Sequence, residues 1–342
     1  MEKITLHAKI LTPICVSTGT DRDGLDFFID EQKHTFCLVD QEWIERAIEE
    51  KQVNAEELLN AIKKGEFKTL SKIKQQLGKE FFKIKKEYKI WKDAMKTLWQ
   101  QGNSSNQGIV KQQFKNPFTN EVMIPWSTIK GILRTAYLYD KFWEENQNSL
   151  DNAKKFDSIN GELNERLFKW IGCEDVVISN AQVEIQTIQS KNKPQKPWLP
   201  PKKWIYVICE SLISWECDIT LSIAPNNWKL DRDLLSRLEE ILGNYSECLI
   251  WREEKIMDWI DYGHELLDEL DNEFNQWNCP IKLWMYKKSL TYKLWWEELI
   301  QTLPHWKARL TEARKKGVGD KTLYIDEYGY PVGWIVLSFP KK

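Results

Sequence analysis

The chain has 342 residues, 42% hydrophobic and 29% charged, with 49 Lys and Arg against 51 Asp and Glu. This is a globular composition that excludes disorder and fibres, and at roughly 150 residues per domain it allows about two domains. No apolar run approaches the ~18 residues of a membrane span, and a net charge of −2 argues at first sight against a nucleic-acid partner.

From the N-terminus, Ile4–Ser17 alternates apolar and polar residues and breaks at Thr18-Gly19-Thr20, the pattern of a strand and then a loop. Alternation at the very start also separates this N-terminus from a signal peptide. His34–Val39 predicts a second strand. Asp40 is placed as the N-cap of a helix carrying Trp43, Ile44, Ala47 and Ile48. Asn54 and Glu57 open a short helix with Leu58, Leu59 and Ile62 that stops at Gly65. Thr69–Leu98 is expected as one long Lys-rich helix, its apolar residues from Leu70 to Leu98 spaced by three and four. Gly102–Gly108 has loop composition.

Phe118–Pro125 is expected to be extended and to lead into a helix capped by Ser127, with Ile129, Ile132, Leu133, Ala136 and Tyr137 on one side. Leu163–Ile171 predicts a helix ending at Gly172, and Val176–Ile188 a strand. Lys193–Lys203, with four prolines, is the rigid tip of a long hairpin. Trp204–Ile223 is strand-like, interrupted between Glu210 and Asp218. Helices follow at Asp231–Leu242, Cys248–Trp277 and Tyr292–Lys316. Thr322–Ile325 and Gly333–Phe339 form a closing hairpin. Strand–helix units mixed with antiparallel hairpins give an α+β class.

Charge is strongly segregated along this order. Ala61–Gln100 holds 12 Lys against 4 acids, a net of +8, whereas Asp231–Phe274 holds 4 basic residues against 14 acids, a net of −10. Each run fits a solvated helix face, and together they make a near-neutral total that hides a dipolar chain. The 18 Trp outnumber the 13 Phe and 11 Tyr, and are assigned to core and subunit interfaces rather than to base stacking.

Several chemistries are missing. There is no GxGxxG after a strand and no Walker loop; Gly317-Val318-Gly319-Asp320-Lys321-Thr322 has one residue between its glycines and a strand after its Thr. There is no GxSxG elbow. His7, His34, His264 and His305 are scattered without zinc spacing, so neither metal nor cofactor is expected. Seven Cys without a CxxC pair fit a reducing cytosol, so a cytoplasmic protein is expected. Asp21, Asp23 and Asp26, after the first strand, are the candidate catalytic acids. A loop carboxylate beside an RNA backbone can orient attack by a 2′-hydroxyl, and the competing reading is a solvated loop.

Met123–Ala136, reading MIPWSTIKGILRTA, is the most specific stretch. Proline ends an extended segment, Ser127 and Thr128 open a helix whose free N–H groups face outward, and Lys130 and Arg134 lie one turn apart, within reach of phosphate oxygens. Gly131 permits close approach. The stretch resembles the IPGSSIKGALRTA signature of the RAMP superfamily, the RNA-binding backbone proteins of CRISPR effector complexes. Leu11–Gly19 (LTPICVSTG) resembles that family's opening LTPVHIGSG, with Cys15 and Thr18 replacing His and Ser. Leu167-Phe168 through Gly172 with Val177–Ala181, Glu210–Leu221, and Gly329–Ile335 (GYPVGWI) are similar to further family segments in the same order. Trp126 stands where the family has Gly, and the glycine-rich loop near the C-terminus is reduced to Gly317, Gly319 and Lys321.

The branch most resembled is the fifth subunit of type III-A (Csm) complexes. The resemblance implies an RRM-like, ferredoxin-like antiparallel sheet core of RAMP type with large helical insertions and a degenerate second half. Residues 1–190 are then an N-terminal domain with a helical insertion at about 41–100. Residues 191–342 carry an acidic insertion at about 231–277 and the closing hairpin. It implies a non-catalytic subunit that binds the guide RNA near its 3′ portion and aids assembly or maturation. The contacts implied are Thr18, Gly19, Ser127, Thr128, Lys130, Gly131, Arg134, Gly317, Gly319 and Lys321. The implied partners are guide RNA, other Csm backbone subunits, target RNA and host ribonucleases, with no membrane. Asp26 occupies a loop like that of the target-cutting relative, but the branch itself argues against a catalyst there. The alternatives are a metal-dependent or 2′-hydroxyl-driven endoribonuclease using these loop aspartates, or another type III backbone subunit.

Overall fold

A computed structural model of the chain describes residues 2–101, 108–145, 171–192, 205–223, 236–257, 264–283 and 322–340. Two sheets organise them. The first is antiparallel throughout, with β13 (Cys279–Lys282), β15 (Trp334–Ser338), β1 (Glu2–Ile10), β12 (Glu216–Ile223) and β8 (Ile171–Cys173) in that spatial order. In β1 the alternation expected from sequence is realised, with Leu6, Ala8 and Ile10 buried and Thr5, His7 and Lys9 exposed. Across the exposed face His7 meets Asp218 at 3.1 Å in the facing strand.

The second sheet has eight strands. Seven run in the order β2 (Ser17–Arg22), β6 (Val110–Gln113), β11 (Ile205–Ser214), β10 (Gln182–Asn192), β5 (Ile84–Ile90), β4 (Thr35–Val39) and β3 (Phe27–Asp30). The eighth, β14 (Thr322–Ile325), pairs with β10. β10 and β11 form the long hairpin expected around the proline-rich segment, in register from Gln182↔Ser214 to Ser190↔Ile205, while its tip lies outside the described residues. The expected interruption from Glu210 is corrected: β11 continues to Ser214 and the break comes at Trp215 alone.

The two sheets are joined where single chain segments pass from one to the other. After β1, Leu11 and Thr12 donate their N–H groups to Trp334 O, Ile14 pairs with Leu212, and the chain enters β2. β11 and β12 make the same crossing at Trp215, whose carbonyl accepts Ile10 N–H at 3.1 Å. The C-terminal pair crosses too. β14 and β15 belong to different sheets: the two arms pair only at the turn, through the bridge Ile325↔Pro331 and the bonds Val332 N–H to Tyr324 O and Asp326 N–H to Tyr330 O, so the expected closing hairpin becomes a crossover. One continuous hydrophobic core runs between these elements, and a smaller one lies under the first helices.

Local caps explain the helical segments. Asn54 Oδ1 accepts from Glu56 and Glu57 N–H at the head of α2 (Ala55–Lys64), and Gly65 ends it at φ +63, as the sequence implied. α1 (Trp43–Glu49) begins later than expected: Asp40 bonds Glu42 N–H within a turn and is not the cap itself. The single helix expected over Thr69–Leu98 is four elements, one of them a single 3₁₀ turn at Lys79–Phe81. α3 (Phe67–Leu77) stops at Gly78 (φ +79), β5 follows, and α4 (Lys92–Gln101) resumes the helix. The reason is legible afterwards: Ile84, Lys86, Tyr88 and Ile90 repeat every second residue, a strand period hidden inside a compatible helical spacing.

Three further expectations change. Thr18-Gly19-Thr20 is bulged strand inside β2, with Gly19 at φ +86, rather than loop. Gly172 lies in β8, not at a helix end. The acidic helices divide at a different point, as α6 (Leu238–Met257) and α7 (His264–Asn275), with Gly243 inside α6. α5 (Trp126–Glu145) packs on α6, and α6 and α7 pack on β13 of the first sheet. Tyr292–Lys316, Leu163–Trp170 and nearly all of Gly102–Gly108 fall outside the described residues. No helix among the described residues is long and apolar enough to cross a membrane.

At the centre of the second sheet Glu210 is fully buried, at 0% exposure. Its Oε1 accepts from Arg22 Nε at 2.6 Å and its Oε2 from Lys115 Nζ at 2.5 Å, and Lys115 Nζ also donates to Tyr88 Oη at 2.7 Å. One carboxylate therefore ties β2, the chain after β6, β11 and β5. Burial pushes the Lys115 ammonium down, an effect opposed by the Glu210 charge. Glu210→Gln keeps the volume but leaves two cations uncompensated, one of them fully enclosed. We expect it to lower unfolding free energy by about 3–5 kcal/mol in urea titration; a loss below about 1 kcal/mol shows that the network adds nothing to the sheet.

Candidate nucleic-acid interface

The MIPWSTIKGILRTA stretch forms β7 (Val122–Ile124), the Pro125 break and the start of α5. The apolar stripe is as expected: Ile129, Ile132, Leu133, Ala136 and Tyr137 are all buried. Ser127 is not the cap, however. The helix begins one residue earlier, at Trp126, and the carboxylate of Asp175, in the turn between β8 and β9 (Val176–Ile178), takes Trp126 N–H at 2.6 Å. Asp175 thus supplies from across the fold the acceptor that Ser127 was expected to provide. β7 pairs with β9, and this pairing brings Asp175 to the helix end.

Ser127 is exposed and Thr128, Lys130 and Arg134 are half-buried around the first two turns, with both cations already making contacts within the chain. Gly131 is exposed, and a Cβ built on it meets nothing within 4 Å. Among the described residues nothing therefore requires glycine at this position. Thr135 returns its hydroxyl to Gly131 O at 2.7 Å.

The other sequence-predicted positions divide. Thr18 and Gly19 sit in β2, and the β2–β6 pairing carries them beside the strand that leads through Lys115 and β7 into α5. Gly317, Gly319 and Lys321 lie outside the described residues. The three loop aspartates are all engaged. Asp21 is bound to Lys111 Nζ through both oxygens, at 2.7 and 2.6 Å. Asp23 accepts Leu25 N–H at 2.8 Å. Asp26 accepts Gln41 Nε2 at 2.9 Å and Asp23 N–H at 3.2 Å. Asp21 is thus a residue of strand β2 and not of a loop, while Asp23 and Asp26 close the turn that leads into β3 (Phe27–Asp30). Among the described residues no group of three His, Cys, Asp or Glu is placed to hold a metal.

Sequence reasoning missed the residue that holds this turn. Lys74 of α3 is buried, and its Nζ donates to Gly24 O at 2.7 Å, Leu25 O at 3.1 Å and Phe27 O at 2.7 Å, above the Trp43 ring at 4.8 Å. The signal was present: Lys74 follows Leu70 by four and Ile73 by one, on the apolar side of the helix. Burial lowers its ammonium to about 7, opposed by Asp26 and Asp23. Glu210 carried a comparable signal, alternating with Ile208 and Leu212 on the core face of β11.

No protein-family model matches the sequence, and no curated protein matches it either. Solved structures do. A chain of a cryo-EM Csm–crRNA–target RNA ternary complex of a type III-A CRISPR–Cas system superposes at a TM-score of 0.67 with 16% identity, covering 99% of this chain and 100% of that one. The crystal structure of Csm5 from T. onnurineus aligns at a TM-score of 0.46 with 15% identity, over 96% and 99% of the two chains. The chain has the fold of that Csm subunit along its whole length.

Two outcomes follow from these environments. Gly131→Ala relieves a glycine penalty in a helix interior and is expected to raise stability by about 0.5–1 kcal/mol while weakening binding of whatever approaches the helix. Gain in Tm with unchanged RNA affinity removes Gly131 from the interface. Lys74→Met leaves three carbonyl oxygens without their donor and is expected to cost about 2–4 kcal/mol. Because the folded-state value of Lys74 is depressed, the unfolded chain binds the extra proton between about pH 7 and its ordinary value near 10.5. Stability from this group therefore rises with pH across that window, and Lys74→Met should flatten the rise in pH-dependent unfolding.

Proposed function

We propose that this chain is a CRISPR RNA-binding subunit of a type III-A Csm interference complex, without nuclease activity of its own. It would cap the backbone near the 3′ portion of the guide RNA and aid its assembly or maturation. The observation that carries the reading is the whole-chain fold likeness to a subunit of an assembly containing crRNA and target RNA, joined to the RAMP-like helix entry at Pro125–Arg134. On this reading the five-stranded antiparallel sheet with its packed helices is the RRM-like core, and the elements from α1 to α4 with β5 are elaborations of it.

Chemistry supports the assignment. The hydroxyls of Ser127 and Thr128 and the cations of Lys130 and Arg134 suit phosphate oxygens, which position a strand without reading its bases. The helix N-terminus adds less than the sequence implied, because the N–H groups of Trp126, Thr128 and Ile129 are taken by Asp175 and Pro125 O. Gly131 leaves room for the backbone of the RNA. Asp23 and Asp26 supply turn contacts, Asp21 of β2 is ion-paired to Lys111 of β6, and Asp26 has both carboxylate oxygens occupied. Guide RNA, neighbouring Csm subunits, target RNA and host ribonucleases are the proposed partners, in the cytoplasm.

The test is a gel-shift series with single-stranded guide-length RNA. The double variant Lys130→Ala/Arg134→Ala should lose affinity, and the slope of log K against log salt should fall by about 1.4, two phosphate contacts at about 0.7 each. Unchanged affinity and slope place the RNA elsewhere. Incubation of labelled RNA with Mg²⁺ should leave it intact, and cleavage abolished by Asp26→Ala establishes the nuclease reading instead.

A further inference from the structure

The turn that joins the two sheets near the C-terminus displays aromatic rings in a way that core packing does not require. Asp326 accepts Tyr328 N–H and Tyr330 N–H on one oxygen, both at 2.9 Å, and Gly329 turns the chain at φ +92. Glu327 anchors the turn outward, accepting Thr187 N–H of β10 at 3.0 Å and also the backbone N–H of Ala94 in the first turn of α4. Tyr328 is nonetheless 62% exposed, and Tyr330 is exposed as well.

Tyr328 stands edge to face against Trp91, with ring centroids 4.9 Å apart and planes at 86°. Trp91 is itself fixed, its Nε1–H donated to Glu184 Oε2 at 2.5 Å. Lys89 Nζ lies 4.4 Å from the Trp91 ring centroid and 3.3 Å from Glu184 Oε1, with its side chain 61% exposed. A buried carboxylate, an oriented indole and a cation together brace an open phenol ring. From this cluster, exposed lysines continue at Lys85 in β5 and Lys83 just before it, which share Asp40 Oδ2 at 3.8 and 4.0 Å, and onto α4 at Lys92 and Lys96. Alternate residues of a strand are about 6.6 Å apart on one face. Glu87, the acid within this row, is drawn off by Lys79 at 2.8 Å.

We propose that Tyr328, braced by Trp91 and flanked by Lys89, is a stacking platform for one unpaired base of a single-stranded RNA whose phosphates run along the lysines of β5. A positively charged track ending on a rigid aromatic face is the arrangement that binds single strands without selecting their sequence, because every base has a π-face. A rigid ring also loses little conformational freedom on binding. A partner protein is the weaker occupant, since the row of exposed lysines opposes the desolvation that an interface core needs. The proposal rests on the RNA-binding reading for its ligand class, but its site is separate from α5.

The experiment uses the full chain and a short single-stranded RNA carrying 2-aminopurine, with affinity and fluorescence measured across a salt series. Tyr328→Ala should weaken binding at least about fivefold without changing the salt slope and abolish the stacking-dependent quenching, while Tyr328→Phe retains both. Lys89→Gln should lower the slope by about 0.7. If Tyr328→Ala binds as wild type while Lys130→Ala/Arg134→Ala fails, the RNA reading stands and the platform is overturned. No binding by wild type overturns both. If Tyr328→Ala leaves RNA affinity intact but strips other subunits from the purified complex, the turn is a protein contact and the platform is again overturned. The exposure of Tyr328 and retention of function by the Phe variant separate a lost ring from a lost fold.

Discussion

A carboxylate with no access to water constrains the architecture of this chain. Glu210 cannot be buried as an anion unless cations come to it, and Arg22 and Lys115 do so from segments far apart in sequence. Meeting that demand fixes β2 beside β6 and holds Lys115, two residues past β6, against Tyr88 of β5. The chain leaving Lys115 is the one that turns at Pro117–Asn120, forms β7 and becomes α5. The position of the helix entry is therefore tied to an ion network in the sheet rather than to the helix itself.

The same logic recurs at smaller scale. Lys74 gathers three carbonyl oxygens that the turn at Gly24–Phe27 would otherwise bury without donors. Glu184 gathers Lys89 and Trp91, and Asp326 closes the turn that carries Tyr328. Lys74 and Glu184 satisfy groups of other elements, and Asp326 those of its own turn, so these irregular segments are pinned by charged side chains. These are the segments on which the molecule displays its surface rings and cations. Charge segregation has a related consequence. The basic residues cluster on β5, α3 and α4 and the acidic ones on α6 and α7, so a near-neutral molecule presents two unlike faces.

Much of the local structure was legible from residue type. Asn54 and Gly65 bounded α2, the stripe from Ile129 to Tyr137 buried itself as spaced, and β1 followed its alternation. Failures came where two periods agreed or where a partner lay far away. Leu77, Phe81, Ile84, Tyr88 and Trp91 satisfy a helical spacing, yet the sheet offered β5 hydrogen-bonding edges on both sides, β4 and β10, and the strand won. Ser127 had the chemistry of a cap, but Asp175 reached the helix end first through the β7–β9 pairing. Thr322–Phe339 had the outline of a hairpin, and its two strands went to different sheets because β10 and β1 each had a free edge for one of them.

By itself, the sequence determined the cap and stop of α2, the apolar stripe of α5, the Pro125 break before it and the alternation that marks the strands of the α+β class, because each is set by patterns within a few residues. It also carried the order of motifs that resembles RAMP proteins, and independently the chain shares its fold with a chain of a Csm–crRNA–target RNA complex. Only the tertiary structure decided which lysines are buried and which are presented, which carboxylate caps α5, and that Tyr328 is braced rather than packed. Those outcomes hinge on pairs such as Arg22–Glu210 and Trp91–Tyr328, separated by 188 and 237 positions. Burial and partnership at such separations are properties of the assembled sheets, and no local pattern records them. The net charge of −2 shows the same division: its segregation into +8 and −10 was written in the sequence, but which cations line one surface was settled by strand pairing.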